Sequence, residues 1–296
     1  MSFDLTFADL EQRAVQYSAR GSVADFDAEM RIYAELALRS RATCAAVLDL
    51  QYGMGRAERL DLFLAQASAQ PTPVFVYIHG GYWRSQRKED ACSMAASFTS
   101  HGVAVAVIEY TLLPEATLAE VVREVRSAIA WLYQHGAQYG IDPERIHVCG
   151  SSAGGHLSGM LYCDDWQPAF NVPQNVIKSV LALSGLFDIR PLCDINVNDW
   201  LQLYPDQAAR LSPVLNLPKE GPPVALSVGG LETQGFKNQT LDFHEALVNR
   251  GLQVELIANT RNNHFNIVNE LADPSSELFA TALRLIGQRQ LSEQAV

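Results

Sequence analysis

Two hydrophobic rhythms alternate along most of this chain. Short apolar runs of buried-strand length fall at Val74–Ile78, Val103–Ile108, Arg145–Cys149, Ser179–Leu183 and Val224–Gly229, and Leu252–Ala258 is strand-like. Between them lie longer segments whose apolar residues recur at helical spacing: Leu118–His135, Ala153–Tyr162, Phe236–Asn249 and Ser276–Ile286. In the first of these helices Val121, Val122, Val125, Ala128, Ile129 and Leu132 form one stripe. Strands alternating with helices predict an α/β fold, with a mostly parallel central sheet covered on both faces. Ahead of that region, Ala45–Leu50 and Leu60–Leu64 read as an antiparallel strand pair across Gly53-Met54-Gly55. Gln70–Pro73 and Ile141–Glu144 read as turns.

Two stretches depart from the rhythm. Phe7–Tyr17 and Val23–Arg41 have helical spacing with mixed charge, so residues 1–43 form an N-terminal helical segment ahead of a single domain at 44–296. That segment fits either a cap over a binding cleft or a helix packed on the side of the sheet. From Asp188 to Pro222 the pattern is irregular, with Trp200, Tyr204 and several prolines, as insertions that line clefts often are.

Composition adds boundaries. At 296 residues the chain suffices for one large core, and 48% hydrophobic with 19% charged residues is a globular balance. The net charge of −11, with no basic stripe to offset it, argues against nucleic acid or an anionic membrane as partner. It also mildly disfavours a strongly anionic substrate. The five cysteines are scattered singly, without metal-ligand spacing, so neither a disulfide framework nor a metal site is expected. The first residues, Met1–Thr6, lack a leader pattern and no apolar run reaches membrane-spanning length, so the chain reads as cytoplasmic. The expected partner is a small-molecule substrate, and the composition is compatible with a homo-oligomer.

The chemistry concentrates at three places. Gly150-Ser151-Ser152-Ala153-Gly154 is a G-x-S-x-G sequence between a strand and a helix, the setting of a nucleophile elbow. Ser152 would project from the turn at the start of the helix, where developing negative charge is favoured. Upstream, the strand Val74–Ile78 runs into His79-Gly80-Gly81-Tyr82-Trp83. A glycine turn there can aim backbone N–H groups at an oxyanion, so Gly81, Tyr82 and Ala153 are the expected donors. Tyr82 and Trp83 would form a pocket wall suited to a flat substrate. A serine hydroxyl needs a base, and His264, in a polar loop after the Leu252–Ala258 run, is the candidate. His244 has helical surroundings and fits a surface position. The acid orienting the histidine is Glu232, after Val224–Gly229, with Asp188 after the preceding strand as the rival.

The His79–Trp83 run, the elbow at Gly150–His156, Glu232 with His264, Glu109–Leu118 and Leu183–Asp188 together resemble the α/β-hydrolase esterases of the kynurenine formamidase (arylformamidase) group. The resemblance covers the chain from about Leu50 to the last helix. It implies an α/β-hydrolase fold and a serine hydrolase that cleaves a small acyl ester or an aryl formamide through an acyl-enzyme, without a cofactor. It assigns Ser152 as nucleophile, His264 as base, Glu232 as acid and Gly81, Tyr82 and Ala153 as oxyanion donors. The group's acid is more often Asp. Alternatives are a short-chain carboxylesterase with another natural substrate, a hydrolase fold that binds ligand without catalysis, and a lyase or haloperoxidase on the same elbow.

Overall fold

The computed structural model describes residues 7, 9–66, 71–163 and 165–287. Met1–Thr6 and Gln70 of the expected turn lie outside the described residues. Nine α-helices and eight strands alternate among those residues: α1 (Leu10–Gln16), α2 (Phe26–Thr43), β1 (Ala46–Gln51), β2 (Arg59–Phe63), β3 (Thr72–Ile78), α3 (Ala95–Ser100), β4 (Ala104–Ile108), α4 (Leu118–His135), β5 (Ile141–Ser151), α5 (Ala153–Tyr162), β6 (Ile177–Leu183), α6 (Asn198–Leu201), α7 (Pro205–Arg210), β7 (Val224–Ser227), α8 (Gln234–Asn249), β8 (Val254–Ile257) and α9 (Glu277–Ile286).

The strands form one sheet in the order β1-β2-β4-β3-β5-β6-β7-β8. Only β2 runs against its neighbours β1 and β4; from β4 to β8 every pairing is parallel. This is the α/β-hydrolase fold, with the antiparallel pair at its start that the sequence pattern predicts. Successive strand residues point to opposite faces, and β3 divides accordingly. Val74, Val76 and Ile78 join the core under α4, α5 and α8, whereas Phe75 and Tyr77 join the core under α2, α3 and α9. Both faces are covered, so β3 reads as a continuous apolar run rather than an alternating one.

Local signals set the helix ends. Thr117 and Glu120 close a reciprocal capping box at the start of α4. All six residues of the predicted α4 stripe are buried. Asp25 caps α2 by accepting from the Ala28 N–H at 2.8 Å. The expected turn at Ile141–Glu144 is instead part of β5. Ile141 pairs with Thr72, the next pair is Ile146 with Val74, and the extra residues bulge out with the Glu144 N–H on Asp142. The irregular stretch after Asp188 holds the short helices α6 and α7. No helix among the described residues is long and apolar enough to cross a membrane.

Two histidines inside this core couple stability to pH. His147 on β5 lies with Nδ1 2.8 Å from the Ser179 hydroxyl, and His156 on α5 donates from Nε2 to the Leu211 carbonyl at 2.7 Å. Burial holds both rings near pKa 4, below the ordinary 6.5. Below pH 6.5 the unfolded chain therefore takes up protons that the folded chain refuses, and stability declines as pH falls. The loss is complete near pH 4, at about 3 kcal/mol per histidine. Denaturant unfolding followed through that window should show the decline; a flat profile would contradict the neutral, buried state of the two rings.

Candidate active site

Ser152 sits where β5 ends and α5 begins, with φ 58° and ψ −117°. A non-glycine residue in that region stores about 1–3 kcal/mol of strain, which the packing around it must hold. The Ser152 N–H is fixed on the Leu183 carbonyl at 2.9 Å. The flanking glycines make the turn sterically feasible. A Cβ on Gly154 would stand 1.9 Å from the Ile78 carbonyl oxygen, and one on Gly150 would stand 2.1 Å from that of Gly154. The helix start is thus pressed against the end of β3, which brings Ser152 next to the glycine turn. A Cβ on Gly80 would come within 3.2 Å of the Ser152 Cβ.

That turn has an unusual backbone. Gly81, Tyr82 and Trp83 follow one another with φ of 92°, 51° and 56°. The Arg84 and Ser85 N–H groups close it onto the Gly81 carbonyl at 3.0 and 3.1 Å. On its inner side the Tyr110 hydroxyl lies 3.1 Å from both the His79 and the Gly80 carbonyl oxygens. The His79 ring stacks on Tyr110 at 4.2 Å and meets Glu109 through Nε2 at 3.2 Å. With the carbonyls engaged from the core, the N–H groups of Gly81, Tyr82 and Ala153 have no acceptor among the described residues. Unengaged donors beside a serine at a helix start are what stabilising an oxyanion requires.

His264 follows β8 and Glu232 follows β7, neighbouring strands of the sheet. The His264 Nδ1 lies 2.6 Å from Glu232 Oε2. A carboxylate accepts, so Nδ1 carries the proton between them. The other glutamate oxygen accepts from the Ser184 hydroxyl at 2.5 Å and the Gly229 N–H at 2.7 Å. Every donor on this carboxylate fixes its direction toward the ring. Phe236, 4.2 Å from the imidazole centroid, covers one side of it. Asp188, the rival acid, is committed elsewhere: it is buried and forms a two-pronged ion pair with Arg190, with contacts of 2.6 to 3.2 Å. It makes no hydrogen bond to His264.

Ser152 and His264 line one cavity of about 530 Å³, a size usual for small-molecule sites. Gly81 and Tyr82 line it as well. Trp83 does not, which corrects the expectation that it touches substrate. Its left-handed backbone turns the indole into the core, where it is fully buried and meets His156 edge-on at 5.0 Å. Tyr82 is held at the cavity by two distant parts of the chain. Its hydroxyl donates to the Tyr17 carbonyl, and its own carbonyl accepts from Trp200 Nε1 at 3.2 Å.

Several cavity residues were not singled out from sequence. Phe26, Met30 and Tyr33 arrive from α2, so the N-terminal segment both packs on the sheet and walls the cavity. Its other end is tied to α8: the Thr233 hydroxyl bonds the Gln16 carbonyl at 2.5 Å, and Gln239 bonds the Tyr17 hydroxyl at 3.1 Å. The histidine loop is tied to α2 by Asn263, whose side-chain amide donates to Glu29 at 2.6 Å. Trp200, by contrast, belongs to the irregular stretch expected to line a cleft, and it does line the cavity. Glu109 and Tyr110 had a signal, since they open the Glu109–Leu118 stretch that carries part of the resemblance; their role in bracing the glycine turn had none.

The BD-FAE family model matches residues 60–247. The chain is similar to the kynurenine formamidase of Salmo salar, at 29% identity over 84% of this chain and 85% of that one. It is also similar to the kynurenine formamidase of Danio rerio, at 27% identity over the same shares. Among solved structures, a candidate thioesterase from Silicibacter sp. TM1040 superposes with a TM-score of 0.77 at 30% identity, covering 90% of this chain and 96% of that one. Esterase B of Lactobacillus rhamnosis shares the fold, with a TM-score of 0.70 at 21% identity over 90% of this chain and 96% of its own.

Proposed function

The chain belongs to the BD-FAE family, and from that premise we propose that it is a serine hydrolase that cleaves aryl formamides through an acyl-enzyme. The observation that carries the reading is the His264–Glu232 pair at 2.6 Å, set beside the same cavity as the strained Ser152. In this reading Ser152 Oγ attacks the formyl carbon while His264 Nε2 takes its proton. The carbonyl oxygen becomes an oxyanion, held by the Gly81, Tyr82 and Ala153 N–H groups. Collapse breaks the C–N bond, and His264 returns the proton to the departing aryl amine. Water, deprotonated in turn by His264, releases formate and restores the serine.

A formyl group suits the site because it is the smallest acyl group, and an aryl amine leaves more readily than an alkyl amine. The aromatic wall of Phe26, Tyr82, Trp200 and Phe265 gives a flat ring apolar surface to cover. The curated relatives named as kynurenine formamidases support the same substrate class. The test compares hydrolysis of N-formylkynurenine with that of a short-chain 4-nitrophenyl ester. The formamide is expected to have the higher kcat/KM, by about tenfold or more, a gap of about 1.4 kcal/mol in transition-state stabilisation. Ester cleavage without formamide cleavage would instead make the protein a short-chain carboxylesterase.

A further inference from the structure

Acyl transfer, as derived above, leaves two cationic groups of the cavity wall unused. Arg20 comes from the single helical turn Arg20–Ser22 between α1 and α2, and Arg84 from the turn that follows Trp83. Both line the cavity that holds Ser152 and His264. Each guanidinium lies over an aromatic ring of the same wall: Arg20 over Phe26 at 4.5 Å, and Arg84 over Trp200 at 4.1 Å. Cation–π contact holds such a group in place without using its N–H donors.

Among the described residues, neither guanidinium has an ion-pair or hydrogen-bond partner. Arg39, Arg56 and Arg87 share that lack of a partner among the described residues, so what sets Arg20 and Arg84 apart is their place in the cavity wall, each over an aromatic ring. Other arginines are paired: Arg13 with Asp194, Arg123 with Glu58 and Arg190 with Asp188. Two oriented, unpaired cations beside a nucleophile add little to stability, and their fork of donors matches a carboxylate.

The geometry points to Arg20 and Arg84 as specificity residues that hold a carboxylate of the substrate while its acyl group lies at Ser152. The inference rests on the hydrolase reading, and it reverses the expectation drawn from net charge. The overall −11 describes the surface as a whole, whereas the reacting molecule meets the local field. Asp90 also lines the cavity, and burial together with Glu89 raises its carboxyl above the ordinary range.

Binding separates this claim from the catalytic one. N-formylkynurenine and its carboxamide would be titrated calorimetrically into full-length Ser152→Ala protein, with and without Arg20→Gln and Arg84→Gln together. The acid is expected to bind about tenfold more tightly than the carboxamide, and the double substitution to bring the two near parity. Added salt should erode the same preference. Equal affinities with both arginines present, or a preference that survives their replacement, would overturn the inference. An arginine-dependent preference in a protein whose Ser152 form turns over neither formamide nor ester would leave the anion site standing and remove the hydrolase reading.

Discussion

Replacing Ser152 with alanine is expected to lower kcat/KM for the formamide by about 10⁴-fold or more while the protein stays folded. The substitution deletes one oxygen that forms no hydrogen bond within the described residues. Alanine bears the same cost at φ 58° as serine does, so the elbow keeps its shape. The N–H groups of Gly81, Tyr82 and Ala153 and the cavity wall remain, and they would account for residual rate above the uncatalysed reaction. Steady-state kinetics paired with denaturant unfolding tests this. Activity within about tenfold of wild type would remove Ser152 from the chemistry.

Glu232 and Asp188 should separate by the kind of damage their loss causes. Glu232→Gln keeps the volume but replaces one carboxylate oxygen with an N–H donor, and the amide cannot reproduce the full acceptor set that meets Ser184, Gly229 and His264. The imidazole then loses the partner that fixes Nδ1–H, and kcat is expected to fall by about 10³- to 10⁴-fold with only a modest change in KM. Asp188→Ala leaves the Arg190 guanidinium without its carboxylate beside a buried site. That should cost about 1–2 kcal/mol of stability, because the Arg190 guanidinium is partly exposed and what is lost is mainly the buried hydrogen bonds of Asp188. Turnover per folded molecule should stay within a few-fold. The reverse pattern, with catalysis lost in Asp188→Ala and kept in Glu232→Gln, would transfer the role of acid to Asp188.

Much of the site was legible in the sequence because close approach demands small residues in fixed places. Gly150 and Gly154 stand where any Cβ would collide with backbone oxygens, so the elbow announces itself as a spacing pattern. Glu232 and His264 were legible for a related reason: each follows a strand-like run, a buried one before Glu232 and a half-exposed edge strand before His264, and the ends of neighbouring parallel strands converge. The strands β3 and β4 were readable as unbroken apolar runs because both sheet faces are covered.

What escaped the sequence depends on backbone turns and long-range contacts. Nothing in the pattern of His79–Trp83 says that φ stays positive through three residues, yet that is what turns Trp83 inward and leaves Tyr82 at the cavity. The six-residue α3 is too short to display a helical stripe. The wall contributed by Phe26 and Tyr33, the Tyr82–Tyr17 bond and the Asn263–Glu29 bond join segments far apart in the chain. Periodicity reports which face of an element is buried, and not which distant element buries it.

Covalent labelling tests the central claim most directly. A fluorophosphonate mimics the tetrahedral intermediate and bonds to a serine whose proton is drawn off by a histidine in reach of an oxyanion hole. Incubation with such a probe, followed by peptide mapping, should place one adduct on Ser152, absent in Ser152→Ala and formed far more slowly in Glu232→Gln. A folded wild-type protein that takes up no label, or takes it up at another residue, would contradict the account.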